Sequence, residues 1–228
     1  MVTGTGLIAT TFKSYRDLPD ILVFGSGVSN SKSSLPADFD RERQLLQTAI
    51  RTHPSAKIVY FSTSSINDPD IRDTPYIVHK MAMESLIKQA AASFTIFRLS
   101  NLAGSLGNPY TILNFFYQHI SQGIPFDLWK NSERNIIDAE DVFSIADYIL
   151  HHRLFENDTV NIANPHNYPV PYIVKSIEAF CHKKGVFTER EKGSTFEIDT
   201  TAIRGIITSL NLQFGDRYLL RLLEKYYS

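Results

Sequence analysis

Hydrophobic and polar positions fall in blocks along the chain. Short apolar runs bounded by turn residues lie at 21–24, 58–61, 95–99 and 160–162. Runs of that length without polar alternation predict parallel strands covered on both faces. Residues 1–3 predict a first strand well below the usual length of about 5–6 residues. Between these runs, apolar positions recur at helical spacing. Segment 38–52 carries Phe39, Leu45, Leu46 and Ala49; segment 75–92 carries Met83, Leu86, Ile87 and Ala90; segment 139–151 carries Val142, Ile145, Ala146 and Ile149. Pro75 suits the first turn of its helix. Strands alternating with helices predict an α/β fold, a parallel sheet with helices on both faces. Segments 105–134 and 164–228 read differently, holding most of the turn residues and many aromatics, among them Tyr110, Phe116, Phe126 and Trp129. They are assigned to a small substrate lobe, leaving 1–104 with 135–163 as the core.

Composition narrows the function classes. The chain has 228 residues, 43% of them hydrophobic, enough for one substantial core. Its formal net charge is -1 with Lys and Arg scattered, which argues against a nucleic-acid partner, since that requires a basic face. The first residues form no basic, apolar leader and no run approaches 18 apolar residues, so a soluble, cytoplasmic protein without membrane contact is expected. The single cysteine, Cys181, reads as a small buried hydrophobe. The histidines show no metal-binding spacing, so no metal site is expected. His79 lies one residue from Lys80 and is expected to point away from it.

Three short motifs carry candidate chemistry. Met1-Val-Thr-Gly-Thr-Gly-Leu-Ile-Ala9 has G-x-G-x-x-A spacing. Gly4 would make a tight strand-to-helix turn, Gly6 would let backbone approach a pyrophosphate, and Ala9 would permit close helix–sheet packing. A glycine pair is more often simply a turn, but this one follows the first strand, where such a loop belongs. Tyr76-Ile-Val-His-Lys80 places a phenol and an ammonium one helical turn apart. There Lys80 could lower the pKa of Tyr76 from about 10, readying it for proton transfer. With 11 Tyr and 23 Lys and Arg in the chain, about one such pair arises by chance, usually on a solvated helix face. Lys57-Ile-Val-Tyr-Phe-Ser-Thr-Ser-Ser65 is an apolar strand ending in hydroxyls.

In this order, the motifs resemble the extended short-chain dehydrogenase/reductase, or NAD-dependent epimerase/dehydratase, family over nearly the whole chain. The resemblance implies a Rossmann-type sheet and an NAD or NADP cofactor touching Gly4, Gly6, Leu7, Ile8, Ser26, Gly27 and Lys80. It makes Thr63, Tyr76 and Lys80 catalytic, with Ser64 beside the substrate. Phe97-Arg-Leu-Ser-Asn101 and Ser132-Glu-Arg-Asn-Ile-Ile-Asp138 resemble two further family motifs, in which Asn101 and Arg134 would contact the diphosphate of a nucleotide-linked sugar. Asp141 reads as a helix-start residue. The sequence also departs from the family. A ribose-reading acidic or basic residue belongs at the end of a second strand roughly 20 residues beyond the turn, but here residues 12–20 lead straight into what resembles the family's fourth strand. The second and third strands are therefore expected to be missing.

The resemblance also bears on the reaction. Sugar 4,6-dehydratases of the family follow the catalytic Thr with Asp-Glu, whereas here Ser64-Ser65 follow Thr63. Members that epimerise and reduce carry a Cys just after the catalytic position, which here is Ser65. What is left is reduction of a nucleotide-linked keto-sugar of the 4-ketoreductase type, in polysaccharide or sugar-nucleotide biosynthesis. The alternatives are a 4-epimerase or a non-catalytic nucleotide- or sugar-binding relative. By the same resemblance a homodimer is expected through helices 38–52 and 75–92.

Overall fold

A computed structural model describes residues 1–69, 71–104 and 108–228; the first residues of the assigned lobe, 105–107, lie outside them. The main sheet is wholly parallel. Its strands are β1 (Val2–Thr3), β2 (Ile21–Phe24), β3 (Lys57–Thr63), β4 (Phe94–Leu99) and β8 (Asp158–Ile162), side by side in that order. Val23 pairs with Val2 on one side and Val59 on the other, and Phe97 with Phe61 and Val160. The first strand thus forms an edge, with no strand beyond it among the described residues. Between β1 and β2 lie only the one-turn helix α1 (Leu7–Thr11) and a 3-10 turn at Lys13–Tyr15. That connection has no room for two more strands and their helices, in line with the expected deletion.

Alternation along the strands sorts side chains between two faces. Leu22, Phe24, Ile58, Tyr60 and Ile96 meet Leu46 and Ile50 of α2 (Pro36–Thr52) and Met83 and Ile87 of α3 (Pro75–Ala90). Val23, Val59, Phe61, Phe97 and Val160 meet Phe12 and Tyr15, together with Val142, Ile145 and Ile149 of α5 (Ala139–His151). Helix α3 starts where local chemistry dictates: the Thr74 side chain accepts a hydrogen bond from the Ile77 N–H, and Pro75 occupies the first turn. On their outer faces α2 and α3 leave Leu45, Val78 and Met81 exposed.

A second core forms over the far end of the sheet. It gathers α4 (Ile112–Gln122), β6 (Phe126–Trp129), α6 (Val170–Cys181) and α8 (Tyr218–Tyr227) around Leu113, Phe116, Ile120, Ile173, Ile177 and Leu223. Strand β5 (Asn101–Ala103) pairs with β7 (Glu133–Asp138), which pairs antiparallel with β9 (Asn167–Pro169). Strand β10 (Phe187–Arg190) pairs with β6, and α7 (Arg204–Ser209) packs Ile206 onto the main core. Ile136 of β7 belongs to the second core and Ile137 to the first, so this strand ties the two together. Cys181 ends α6 only partly buried, packed against the second core.

Candidate active site

The glycine turn is built on close backbone contacts. Gly4 has φ +93, in the region where a side chain is strained, and a Cβ there would stand 2.6 Å from the Gly25 carbonyl oxygen. A Cβ at Gly25 would in turn meet the Thr3 carbonyl oxygen at 2.8 Å and the Ala9 nitrogen at 3.0 Å. The ends of β1 and β2 therefore fit glycine against glycine, with Ala9 closing the helix onto them as its small side chain predicts. Gly25 was not among the expected site residues; its place ahead of Ser26-Gly27 was the available signal. Gly6 caps α1, and a Cβ there would touch nothing within 4 Å, so its face is open. Leu7 lies against Gly104, and Ile8 packs on the main core. These features suit the diphosphate of a dinucleotide, which needs bare backbone beside a helix start. Among the described residues no strand lies beyond β1, where a full-length sheet would carry the adenosine half.

Strand β3 delivers the hydroxyls. Thr63 ends it, and its Oγ1 accepts from the Ser65 N–H at 3.1 Å, capping a 3-10 turn at Ser64–Asn67. The Thr63 side chain is close enough to Tyr76 to act on its phenol. Both are 8% exposed. Ser64 is buried and donates to the Leu99 carbonyl oxygen at 3.1 Å, which turns it toward β4.

The lysine is placed otherwise than expected. Lys80 is buried, and its Nζ donates to Glu42 Oε1 at 3.0 Å and to the Tyr60 hydroxyl at 3.1 Å, while standing 5.9 Å from the Tyr76 ring centre. The expected lowering of the Tyr76 pKa is therefore corrected. Burial and the Glu42 charge push the phenol above its ordinary value, and the neighbouring Thr63 hydroxyl offsets only part of this. His79 is a second correction: its Nε2 lies 3.0 Å from Glu42 Oε2, so His79 and Lys80 converge on one carboxylate. Burial alone would raise the Glu42 carboxyl, but the Lys80 charge and hydrogen bonds from His79, Tyr60 and the Val28 N–H bring it down to about 2. The Arg41-Glu-Arg43 run suggests a solvated face, which is why Glu42 escaped notice. The signal lay in spacing, since Glu42 follows Phe39 by three and precedes Leu46 by four on the buried stripe of α2.

Asn101 and Arg134 come together on neighbouring strands, β5 and β7. Asn101 is exposed and donates to the Asn135 carbonyl oxygen at 2.8 Å; Arg134 reaches the Glu133 carbonyl oxygen at 2.7 Å. Asn135, also unanticipated, is a hub: its Nδ2 donates to the Asn164 carbonyl oxygen at 2.7 Å and Asn167 Oδ1 at 2.9 Å, and its Oδ1 accepts from the Asn164 N–H at 3.1 Å. Asp138 caps α5, and Asp141 in the first turn accepts from the Tyr218 hydroxyl at 2.6 Å. A polar cleft of about 410 Å³ opens beside Asn135 and Glu197; Thr63, Tyr76 and Lys80 do not line it. Among the described residues no group of His, Cys, Asp and Glu is placed to hold a metal, and no helix is long and apolar enough to cross a membrane.

Comparison with known proteins gives a consistent picture. The model of the NAD dependent epimerase/dehydratase family matches residues 28–163, beginning after the glycine turn. No curated protein matches. Among solved structures, UDP-glucuronic acid 4-epimerase from Bacillus cereus in complex with NAD is 17% identical, with a TM-score of 0.70 over 98% of this chain and 76% of that one. UDP-glucose 4-epimerase from Thermus thermophilus, complexed with NAD, is 14% identical at 0.66 over 96% and 81%. RMD from Pseudomonas aeruginosa, complexed with NADPH, is 14% identical at 0.66 over 99% and 89%. At such identities these likenesses establish the fold.

Proposed function

The chain belongs to the NAD dependent epimerase/dehydratase family, and on that premise we propose that it reduces a nucleotide-linked keto-sugar, in the manner of a 4-ketoreductase serving polysaccharide or sugar-nucleotide biosynthesis. Such enzymes use NAD or NADP, which supplies a hydride to the carbonyl carbon when bound. Gly4, Gly6, Ser26 and Gly27 would hold its diphosphate and ribose, with Leu7 and Ile8 beneath the turn. Tyr76 gives its proton to the carbonyl oxygen as that oxygen gains charge, and the Thr63 hydroxyl beside it donates its one hydrogen bond to the same oxygen. Ser64, expected beside the substrate, is buried with its hydroxyl bonded to the Leu99 carbonyl oxygen, so it is given no substrate contact. Asn101 and Arg134 would grip the substrate's diphosphate, Arg134 by the two-pronged geometry of a guanidinium.

The observation that carries this reading is the placing of nearly buried Thr63 at the end of β3 and nearly buried Tyr76 on α3 within reach of each other, with Lys80 one turn further along the helix. The upward direction of the Tyr76 shift, from burial and the Glu42 charge, suits proton donation to a carbonyl oxygen better than removal of a proton from a hydroxyl. The exposed Leu45, Val78 and Met81 fit the proposed homodimer through α2 and α3. Replacing Tyr76 by Phe should lower turnover of a nucleotide-linked 4-keto-sugar, followed by nicotinamide absorbance, by roughly 10²–10⁴-fold. Undiminished turnover would sink the mechanism. A non-catalytic nucleotide- or sugar-binding relative is the second reading, favoured by the edge position of β1. Fluorescence titration with NADH and NADPH separates the two, since a binding relative of that kind would take up neither at millimolar concentration.

A further inference from the structure

NADH and NADPH differ only at the 2′ position of the adenosine ribose. A dinucleotide site tells them apart by an acidic or cationic side chain about 20 residues beyond the glycine turn. Here that distance along the chain falls on Phe24, the last residue of β2, which is 2% exposed and packed in the core under α2 and α3. The charged residues between the turn and β2 are Lys13, Arg16, Asp17 and Asp20. They lie in the 3-10 turn at Lys13–Tyr15 and the segment after it, at the end of the sheet away from the glycines. The Met1 nitrogen, ahead of β1, donates to the carbonyl oxygens of Tyr15 at 2.5 Å, Leu18 at 2.6 Å and Ile21 at 2.6 Å. The Lys57 N–H, at the start of β3, donates to the Asp20 carbonyl oxygen at 2.8 Å. Every strand of this sheet is parallel, so these starts share one end, and Gly4, Gly6, Gly25 and Gly27 lie at the other.

The glycine end is itself built on one side only. Toward Lys80, Gly4 and Gly25 interlock, and a Cβ at Gly27 would stand 3.0 Å from Lys80 Nζ. Toward the edge, β1 is two residues long and pairs only with β2 among the described residues. Thr5 and Gly6 are exposed there, and a Cβ at Gly6 would touch nothing within 4 Å. The chain therefore fits one half of a dinucleotide and not the other. We propose that it recognises the nicotinamide and diphosphate half alone, so that NADH, NADPH and reduced nicotinamide mononucleotide are taken up with similar affinity. This rests on the reading of the glycine turn as the cofactor site. A preference between ligands is a difference in the contacts they make. An adenosine extending past the sheet edge meets no strand to bury it and no side chain to read its ribose, so it adds neither affinity nor selectivity.

The test reads binding and not turnover. Nicotinamide fluorescence is titrated at neutral pH with the whole chain, wild type and Gly6→Val, against NADH, NADPH and reduced nicotinamide mononucleotide. The three wild-type dissociation constants should fall within about threefold of one another, and Gly6→Val should weaken all three. AMP and adenosine 2′,5′-bisphosphate at millimolar concentration should displace no bound NADH. A larger preference between NADH and NADPH, a mononucleotide bound more weakly than that margin, or displacement by either adenosine nucleotide overturns the proposal. A preference for NADPH would implicate Arg41, whose exposed guanidinium donates to the Ser26 carbonyl oxygen at 3.4 Å. Affinities unchanged in Gly6→Val would place the ligand elsewhere and overturn it as well. Uptake of none of the three would refute the cofactor reading and the proposal with it, whereas uptake with a preference refutes the proposal alone.

Discussion

Replacing Lys80 with Met strands the Glu42 carboxylate inside the protein. The two groups are 3.0 Å apart, with Glu42 0% and Lys80 2% exposed, so water cannot take over for the missing ammonium. Removing one partner of a buried pair costs roughly 3–5 kcal/mol. Tyr60, His79 and the Val28 N–H still solvate Glu42 after the change, which places the cost near the lower end, about 3 kcal/mol. Glu42→Gln strands the ammonium instead, with only the Tyr60 hydroxyl among its observed partners keeping its place, and should cost at least as much. The double variant removes both charges and should be more stable than the sum of the single losses implies, by about 2 kcal/mol or more. Urea unfolding at neutral pH, followed by far-ultraviolet circular dichroism, gives the three values. Thermal midpoints should fall by roughly 6–12 °C for a 3 kcal/mol loss in a chain of this size. Single losses below about 1 kcal/mol, or losses additive to within about 0.5 kcal/mol, would refute the buried pair.

The two glycines of the first turn should separate stability from binding. Gly4→Ala forces a side chain onto a φ of +93 and into the Gly25 carbonyl, so it should destabilise by about 1–3 kcal/mol. Gly6→Val points into open space and should leave the melting temperature nearly unchanged while weakening NADH or NADPH binding in a fluorescence titration. Acid should act through Glu42, whose carboxyl sits at about 2 in the fold against an ordinary 4.5. The unfolded chain then binds more protons than the native one between those values, so this contribution is fully present above about pH 5 and is lost as pH falls toward 2. It amounts to an order of 3 kcal/mol, and urea midpoints measured from neutrality to about pH 3 should show a slope that Glu42→Gln flattens.

Much of the architecture was legible locally. The apolar runs at 21–24, 58–61, 95–99 and 160–162 all became sheet strands, the last three extended by one or two residues at an end, and the helices at 38–52, 75–92 and 139–151 appeared, the first two with boundaries shifted by two residues. The edge position of β1 followed from the short path between residues 12 and 20. Tyr76 and Lys80, and Thr63 at a strand end, became candidates through the family resemblance, since each pattern alone is common. Glu42 and Asn135 could not, since each looks like an ordinary polar residue until its distant partners are known.

Periodicity and spacing were sufficient for element types and the order of the motifs, because those depend on the geometry of a single strand or helix, whereas the pairing of Thr63 with Tyr76 was an implication of the family resemblance. The charge state of the site was a matter of packing. Glu42 meets Lys80 across 38 residues of sequence, where α2 and α3 close over Tyr60 on β3. In a low-dielectric interior burial, with the Glu42 charge second, raises the Tyr76 phenol, where its helical spacing from Lys80 had suggested a lowering.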